Sequence, residues 1–365
     1  MSEKRDFDLL VVGGGVIGLS CAWRLAQRGA RVAVLERGEP GGGATRVAAG
    51  MLAPVGELTF GEPELLELTL AAAKLYPEFV AEIEAATGTR TGYEPLGALH
   101  VALDRDEAAQ LRRVHDLQRS LELEAEWLPP RRCRELEPGL TPSFHGGVFA
   151  AGEAAVDPRA LTEVLVAAAS GEGVEVLGGT EVAESVFEGE RLVGARTSAG
   201  EELRAETVVL AGGAWSGNAE WLSAEARPPV RPVKGQVVEL RSRGEEPVAH
   251  HILASERVYL VPRNDGRLVI GATVEEMGYD TAVTAGGVHE LLREAYRLLP
   301  DVAEMEWVGA TAGLRPGTPN NLPLVGPGAI DGLVLATGHF RNGILLAPLA
   351  AQAVADLLSP VGAAR

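Results

Sequence analysis

The segment Asp8 to Glu36, DLLVVGGGVIGLSCAWRLAQRGARVAVLE, constrains the fold of this chain more than any other stretch. Leu9 to Val12 are continuously apolar, as in a central parallel strand covered on both faces. Gly13, Gly15 and Gly18 follow at G-x-G-x-x-G spacing. The first glycine permits a tight turn, the second lets backbone approach a pyrophosphate, and the third lets the next helix sit close on the strand. The phosphates then meet amides at a helix N-terminus. Gly29 ends that helix, Arg31 to Leu35 alternate into a second strand, and Glu36 stands where a carboxylate accepts ribose hydroxyls. The whole unit reads as the cradle of an adenine dinucleotide, with a purely structural glycine turn as the competing reading. The apolar run Leu9 to Ala22, preceded by Lys4 and Arg5, also invites a signal peptide or a membrane span. Three consecutive glycines interrupt it, Trp23 and Arg24 stand where a small-residue cleavage site belongs, and a span needs about 20 mostly apolar residues, so neither is expected.

The 365 residues suffice for two domains or one large one. A formal charge of −18 argues against binding nucleic acid or an anionic membrane surface, which both require a positive field. Cys21 and Cys133 are the only cysteines and lack any ligand spacing. No disulfide framework and no metal site is expected, and the cytosol is the expected compartment. The adjacent His250 and His251 read as part of a solvated loop.

Gly38 to Pro54 is rich in glycine and alanine, and reads as an extended loop lying along a cofactor, or else as a surface connection. Apolar periodicity predicts helices over Pro63 to Ala86 and Asp104 to Leu121, with a strand over Tyr93 to Leu103 between them. Asp157 and Pro158 form an N-cap and first helical position for Arg159 to Ser170. Val174 to Leu177 and Thr207 to Leu210 read as strands, the second ending in the small residues of AGGAW. Pro228 to Thr273 alternates in longer runs joined by Gly, Pro, Asn and Asp turns, which predicts an antiparallel sheet suited to walling a substrate pocket. A helix Gly287 to Leu299, a strand Met305 to Thr311, a turn bearing Arg315, a strand Leu333 to Ala336 and a closing helix Ile344 to Leu358 complete the chain. The expected architecture is α/β, a Rossmann-like nucleotide-binding domain from residues 1–90, 145–225 and 325–365. Residues 91–144 and 226–324 are expected to form an antiparallel-sheet substrate domain.

The closing strand runs into Thr337 and Gly338, and a new helix begins at Gly343, where a helix N-terminus favours negative charge. Taken together, DLLVVGGGVIGLS with Glu36, ATRVAAGMLAP, VVLAGGAWS, GLRPGT and GHFRNGILLAP resemble the FAD-dependent amine oxidases of the D-amino acid oxidase group. The likeness is greatest to the bacterial glycine oxidases of thiamine biosynthesis. The resemblance implies FAD as cofactor, with Gly13, Gly15, Val16, Ile17 and Gly18 at the pyrophosphate and Glu36 with Arg37 at the ribose. It implies Ala44, Thr45, Ala49, Gly50 and Met51 along the flavin, and Val182 against the adenine. His339, Phe340, Arg341, Asn342, Gly343, Ile344 and Leu345 would lie against the isoalloxazine ring. The flavin attachment through a C-terminal-half cysteine, known in monomeric sarcosine oxidases, is excluded because no cysteine follows Cys133, so the FAD is expected to be non-covalent.

The same resemblance makes Arg315 the clamp for the substrate carboxylate, with Tyr259 beside it and Arg341 also facing the substrate. A planar guanidinium that is always charged matches a carboxylate with two parallel hydrogen bonds. The bland alternatives are a structural salt bridge for Arg315, a half-buried strand aromatic for Tyr259 and a surface position for Arg341. Arg257 and Val274 stand where histidine and methionine occur in glycine oxidases, which would reshape the pocket. An amine buried without a carboxylate partner favours its neutral form, and no side-chain base is then required. The expected partners are a small amino acid or amine and dioxygen, with a tetramer implied by the family. The expected products are a 2-oxo acid, ammonia and hydrogen peroxide. The alternatives are a dehydrogenase of the same fold that passes electrons to another acceptor, and a flavin-binding protein without turnover.

Overall fold

The computed structural model describes residues 5–244 and 247–358. Its first strand, Arg5–Val12, lies within an eight-stranded sheet. Glu202–Leu210 pairs parallel with it on one side and Val32–Leu35 on the other. Leu333–Thr337 and Glu175–Leu177 extend the parallel run outward. An antiparallel edge strand, Leu324–Pro327, and a hairpin, Val182–Glu188 with Arg191–Thr197, complete the sheet. Leu10 and Val11 have no exposed surface, because helices cover one face and the hairpin with the loop after Leu210 covers the other. The helices Val16–Gln27, Pro63–Thr87, Pro158–Gly171 and Gly343–Leu358 pack as one layer around Leu19, Trp23, Ile83 and Leu161. Burying each such side chain contributes about 1.5–3 kcal/mol. Among the described residues no helix is long and apolar enough to cross a membrane.

The glycine turn is as close-packed as its spacing predicts. Gly13 has φ +114°, and a Cβ there would lie 2.3 Å from the Ala211 carbonyl oxygen. A Cβ on Gly18 would lie 1.9 Å from the Gly13 oxygen, so the helix rests directly on the turn.

A second eight-stranded sheet runs in the order Glu306–Gly317, Arg231–Arg241, Arg267–Gly271, Tyr259–Pro262, Ile252–Ala254, Ala98–Val101, Gly147–Ala150, Glu126–Leu128. It is antiparallel except where Ile252–Ala254 meets Ala98–Val101. Two sequence expectations are corrected here. The boundary at residue 145 falls too early, because Gly147–Ala150 pairs with Ala98–Val101 and with Glu126–Leu128 in this second sheet. A short apolar run does not reveal which sheet will take it. Arg315 is not in a turn but in the strand Glu306–Gly317, opposite Val233. The Gly and Pro of GLRPG suggest a turn, yet the strand is an edge, where proline is tolerated.

The two sheets are fastened by charge. Asp157 caps the helix Pro158–Gly171 through the Arg159 amide at 2.9 Å and takes the Arg267 guanidinium at 2.5 Å on its other oxygen. Arg263, buried in the second sheet, donates to the Ala49 carbonyl. Gly18→Ala tests the packing of the turn. Overpacking of this kind costs about 1–3 kcal/mol. A lowered thermal midpoint together with loss of bound dinucleotide is the expected outcome, read by thermal unfolding and by absorbance of the purified protein.

Candidate functional site

A cavity of about 750 Å³ lies outside the carboxyl ends of the parallel strands and reaches across to the second sheet. At one end it is lined by Gly13, Gly15, Ile17, Glu36 and Val182, and at the other by Tyr259, Arg315 and Arg341. Its volume falls in the range of built cofactor sites, roughly 300–1,000 Å³.

Glu36 is fixed at the first end by two backbone amides, Gly14 on Oε2 at 2.8 Å and Gly38 on Oε1 at 2.9 Å. Each carboxylate oxygen keeps a second lone pair for a ribose hydroxyl. Arg37 lies beside it with its guanidinium 4.0 Å from the Trp215 ring centroid. The Val16 amide is already bonded to Thr45 Oγ1 at 3.1 Å, so Thr45 ties the loop to the helix start. That loop begins as a one-turn helix, Ala44–Val47, and then runs as Ala49, Gly50 and Met51 along the cavity. Gly50 has φ +72°, and a Cβ there would lie 2.0 Å from the Val156 oxygen.

The loop before the closing helix and the start of that helix supply the other wall through His339, Phe340, Arg341, Gly343 and Ile344. His339 is 1% exposed, its Nε2 has no partner, and burial pulls its imidazole down to about 4. A neutral buried imidazole lining an apolar-walled cavity is an orphan that a bound polar ring would satisfy. Gly18, Asn342 and Leu345 do not line the cavity. Gly18 serves the turn, while Asn342 begins the helix by accepting the Leu346 amide at 2.8 Å. Leu345 is buried in the helical layer. Cys21 and Cys133 are buried elsewhere, and burial pushes the Cys21 thiol up to about 12.

At the inner end two side chains lie on glycines of adjacent strands. A Cβ on Gly235 would meet the Arg315 guanidinium at 2.3–2.5 Å, and one on Gly271 would meet the Tyr259 ring at 2.4–2.5 Å. Arg315 Nη1 donates to the carbonyls of Thr273 at 3.0 Å and Lys234 at 3.3 Å, which anchors one arm of the fork. Burial pushes the Tyr259 phenol up, against the opposing charge of Arg315. Arg257 is exposed and Val274 is 66% exposed, and neither lines the cavity, so the two departures from the glycine oxidase pattern do not shape it.

Sequence reasoning missed Glu57, which lines the same cavity. Burial pushes its carboxyl up, opposed by Arg341 and then Arg315. An acid in the middle of APVGELTF carries no spacing signal, and only the fold brings it to the two arginines. The amine of a substrate held by Arg315 would therefore have a carboxylate within the pocket, contrary to the expectation that it has none. Trp215 was also missed as a lining residue, although the strand end VVLAGGAWS pointed to its neighbourhood.

Comparison with known proteins decides the cofactor. The FAD dependent oxidoreductase family, DAO, matches residues 8–357. The chain belongs to this family. It is 36% identical to the glycine oxidase of Geobacillus kaustophilus, over 96% of this chain and 93% of that protein. The crystal structure of that oxidase superposes with a TM-score of 0.89, covering 97% of this chain and 95% of the other. The chain is also 38% identical to the bifunctional protein ThiO/ThiG of Trichormus variabilis over 96% of its own length, but spans only 52% of that relative. By family the chain is an FAD-dependent oxidoreductase with a Rossmann-like fold, and the residues lining the cavity would hold its FAD. Glu36 is expected to hold the adenosine ribose. Glu36→Gln, which removes the charge from those hydrogen bonds, should cost about 1.5–3 kcal/mol, roughly ten- to hundredfold in FAD affinity. Fluorescence titration of the apoprotein with FAD measures it.

Proposed function

We propose that this oxidase acts on glycine and other small amino acids, giving the 2-oxo acid, ammonia and hydrogen peroxide. One observation carries the reading: Arg315 and Tyr259 lie side by side on Gly235 and Gly271 at the inner end of the cavity, with Glu57 lining it. Arg315, with one arm already fixed on backbone carbonyls, binds the substrate carboxylate bidentately, and the Tyr259 hydroxyl donates to the same group. Fixing the carboxylate converts a bimolecular encounter into an oriented one and presents the Cα hydrogen to the flavin. FAD held in the cavity would supply the acceptor for the Cα hydride and the route for its electrons to dioxygen.

Glu57 deals with the amine. Free amino acids arrive as zwitterions, and an ammonium has no lone pair to assist loss of hydride. A carboxylate with raised proton affinity accepts one ammonium proton and leaves the neutral amine. Water then hydrolyses the imine. The atoms balance as amino acid, dioxygen and water in, and 2-oxo acid, ammonia and peroxide out. The resemblance to glycine oxidases supports a supply role in thiamine biosynthesis.

Peroxide release with glycine in aerated buffer, and bleaching of the oxidised flavin by glycine under anaerobic conditions, are the expected results. Bleaching without peroxide would instead identify a dehydrogenase. Arg315→Ala should cost about 2–5 kcal/mol of substrate binding while the purified enzyme keeps its FAD, and unchanged kinetics would remove the clamp. For Glu57→Gln, kcat/KM should fall about tenfold or more at neutral pH and recover as the pH rises, because the free amine then supplies its own lone pair. A pH profile parallel to that of the parent enzyme would exclude the proton-accepting role.

A further inference from the structure

Directly behind Glu57 lies a buried pair that the reaction as derived does not use. Glu153, in the turn between the strands Gly147–Ala150 and Ala154–Ala155, is 1% exposed. Its Oε1 accepts the amides of Val55 at 3.0 Å and Gly56 at 2.5 Å, the two residues that lead into Glu57. Its Oε2 is buried and has no partner. His100, in the strand Ala98–Val101, also buries an unpartnered Nε2. Both orphan atoms converge on one backbone position. A Cβ on Gly56 would lie 2.2 Å from His100 Nε2 and 2.9 Å from Glu153 Oε2. From a third side Gln118, in the helix Arg105–Ser120, donates to the Val55 carbonyl at 2.9 Å. The Glu57 amide itself closes the turn on the Ala53 carbonyl at 3.0 Å.

A surface loop of small residues does not require a buried carboxylate beneath it, and an unpaired buried oxygen is costly. What this arrangement provides is a fixed direction for Glu57 and a second titratable group beside it. We propose that Glu153 is a positioning residue that acts through Glu57, holding the turn that carries it and, once ionised, placing a second negative charge behind it. The inference rests on the assignment of Glu57 as acceptor of the ammonium proton. Burial pushes the Glu153 carboxyl up to about 8, with Glu57 adding to the rise and the Gly56 and Val55 amides opposing it. His100, on the adjacent strand, is held neutral by burial, its imidazole pulled down to about 4. The charged groups that reach Glu57 from the other side are Arg341 and Arg315.

Below about pH 8 the carboxyl of Glu153 is neutral, and above it the new charge raises the proton affinity of Glu57 and strengthens it as an acceptor. The folded carboxyl also keeps its proton where the unfolded chain, with an ordinary glutamate value of 4.5, has lost it. Its contribution to stability is therefore present below that lower value and is lost as the pH rises through about 8.

The test is a double-mutant cycle on the FAD-loaded enzyme. Glu153→Ala is expected to raise the glycine KM about tenfold with kcat little changed, and to add nothing in a Glu57→Gln background. Glu153→Gln keeps an acceptor for the two amides. It should hold FAD and retain KM at neutral pH, lose the step in KM expected of the parent enzyme near pH 8, and lose the decline of thermal midpoint expected across that interval. If the losses from Glu153→Ala and Glu57→Gln simply multiply, or if Glu153→Gln keeps the step, the positioning role is overturned. If Glu57→Gln alone leaves KM and its pH profile unchanged, it is the Glu57 assignment that falls, and the two failures are thereby told apart.

Discussion

Everything in this molecule hangs on one place where backbone touches backbone. The Gly13 turn leaves no room for a side chain between itself and Ala211, nor between itself and the helix that begins at Val16. The Gly13 amide bonds to the Leu35 carbonyl and the Ala211 amide to the Val12 carbonyl, both at 2.8 Å, so three parallel strands stay zipped to their carboxyl ends. A crevice outside those ends follows from the topology, and in doubly wound sheets that crevice is where a dinucleotide binds. A single methyl group at Gly18 would push the helix and its amides away from the site.

This constraint was legible because it is local. Strand, turn, helix and acid succeed one another within the segment Asp8 to Glu36, and each glycine answers to a steric need that the structure shows. The closing helix was legible for the same reason, to within a residue of its start at Gly343. What could not be read was pairing at a distance. Gly147–Ala150 is an apolar run that either sheet could have taken, and it joined the second. Arg315 was found through the resemblance, but its strand was hidden by a proline that an edge position tolerates. Gly235 and Gly271 sit inside strands, where glycine usually weakens the ladder. Here each makes a flat bed for one side chain from the neighbouring strand, an effect that exists only once the four strands lie together. Glu57 and Glu153 are the extreme case. They are 96 residues apart by position and meet only because a turn from one region rests on a turn from another.

The charge arrangement of the inner end bears on which molecules it accepts. A chain of formal charge −18 repels anions on average, so recognition of a carboxylate has to be local. Arg315 and Arg341 line the pocket against the single carboxyl of Glu57. A bare amine would bring a positive charge to two guanidiniums with only one acid to receive it. A simple carboxylic acid would satisfy Arg315 and leave Glu57 buried beside an apolar group. An amino acid offers each group its complement at a separation fixed by one carbon, and the burial of the pocket makes both mismatches costly. Under the proposed function, selectivity for α-amino acids over amines and acids would follow from charge placement alone.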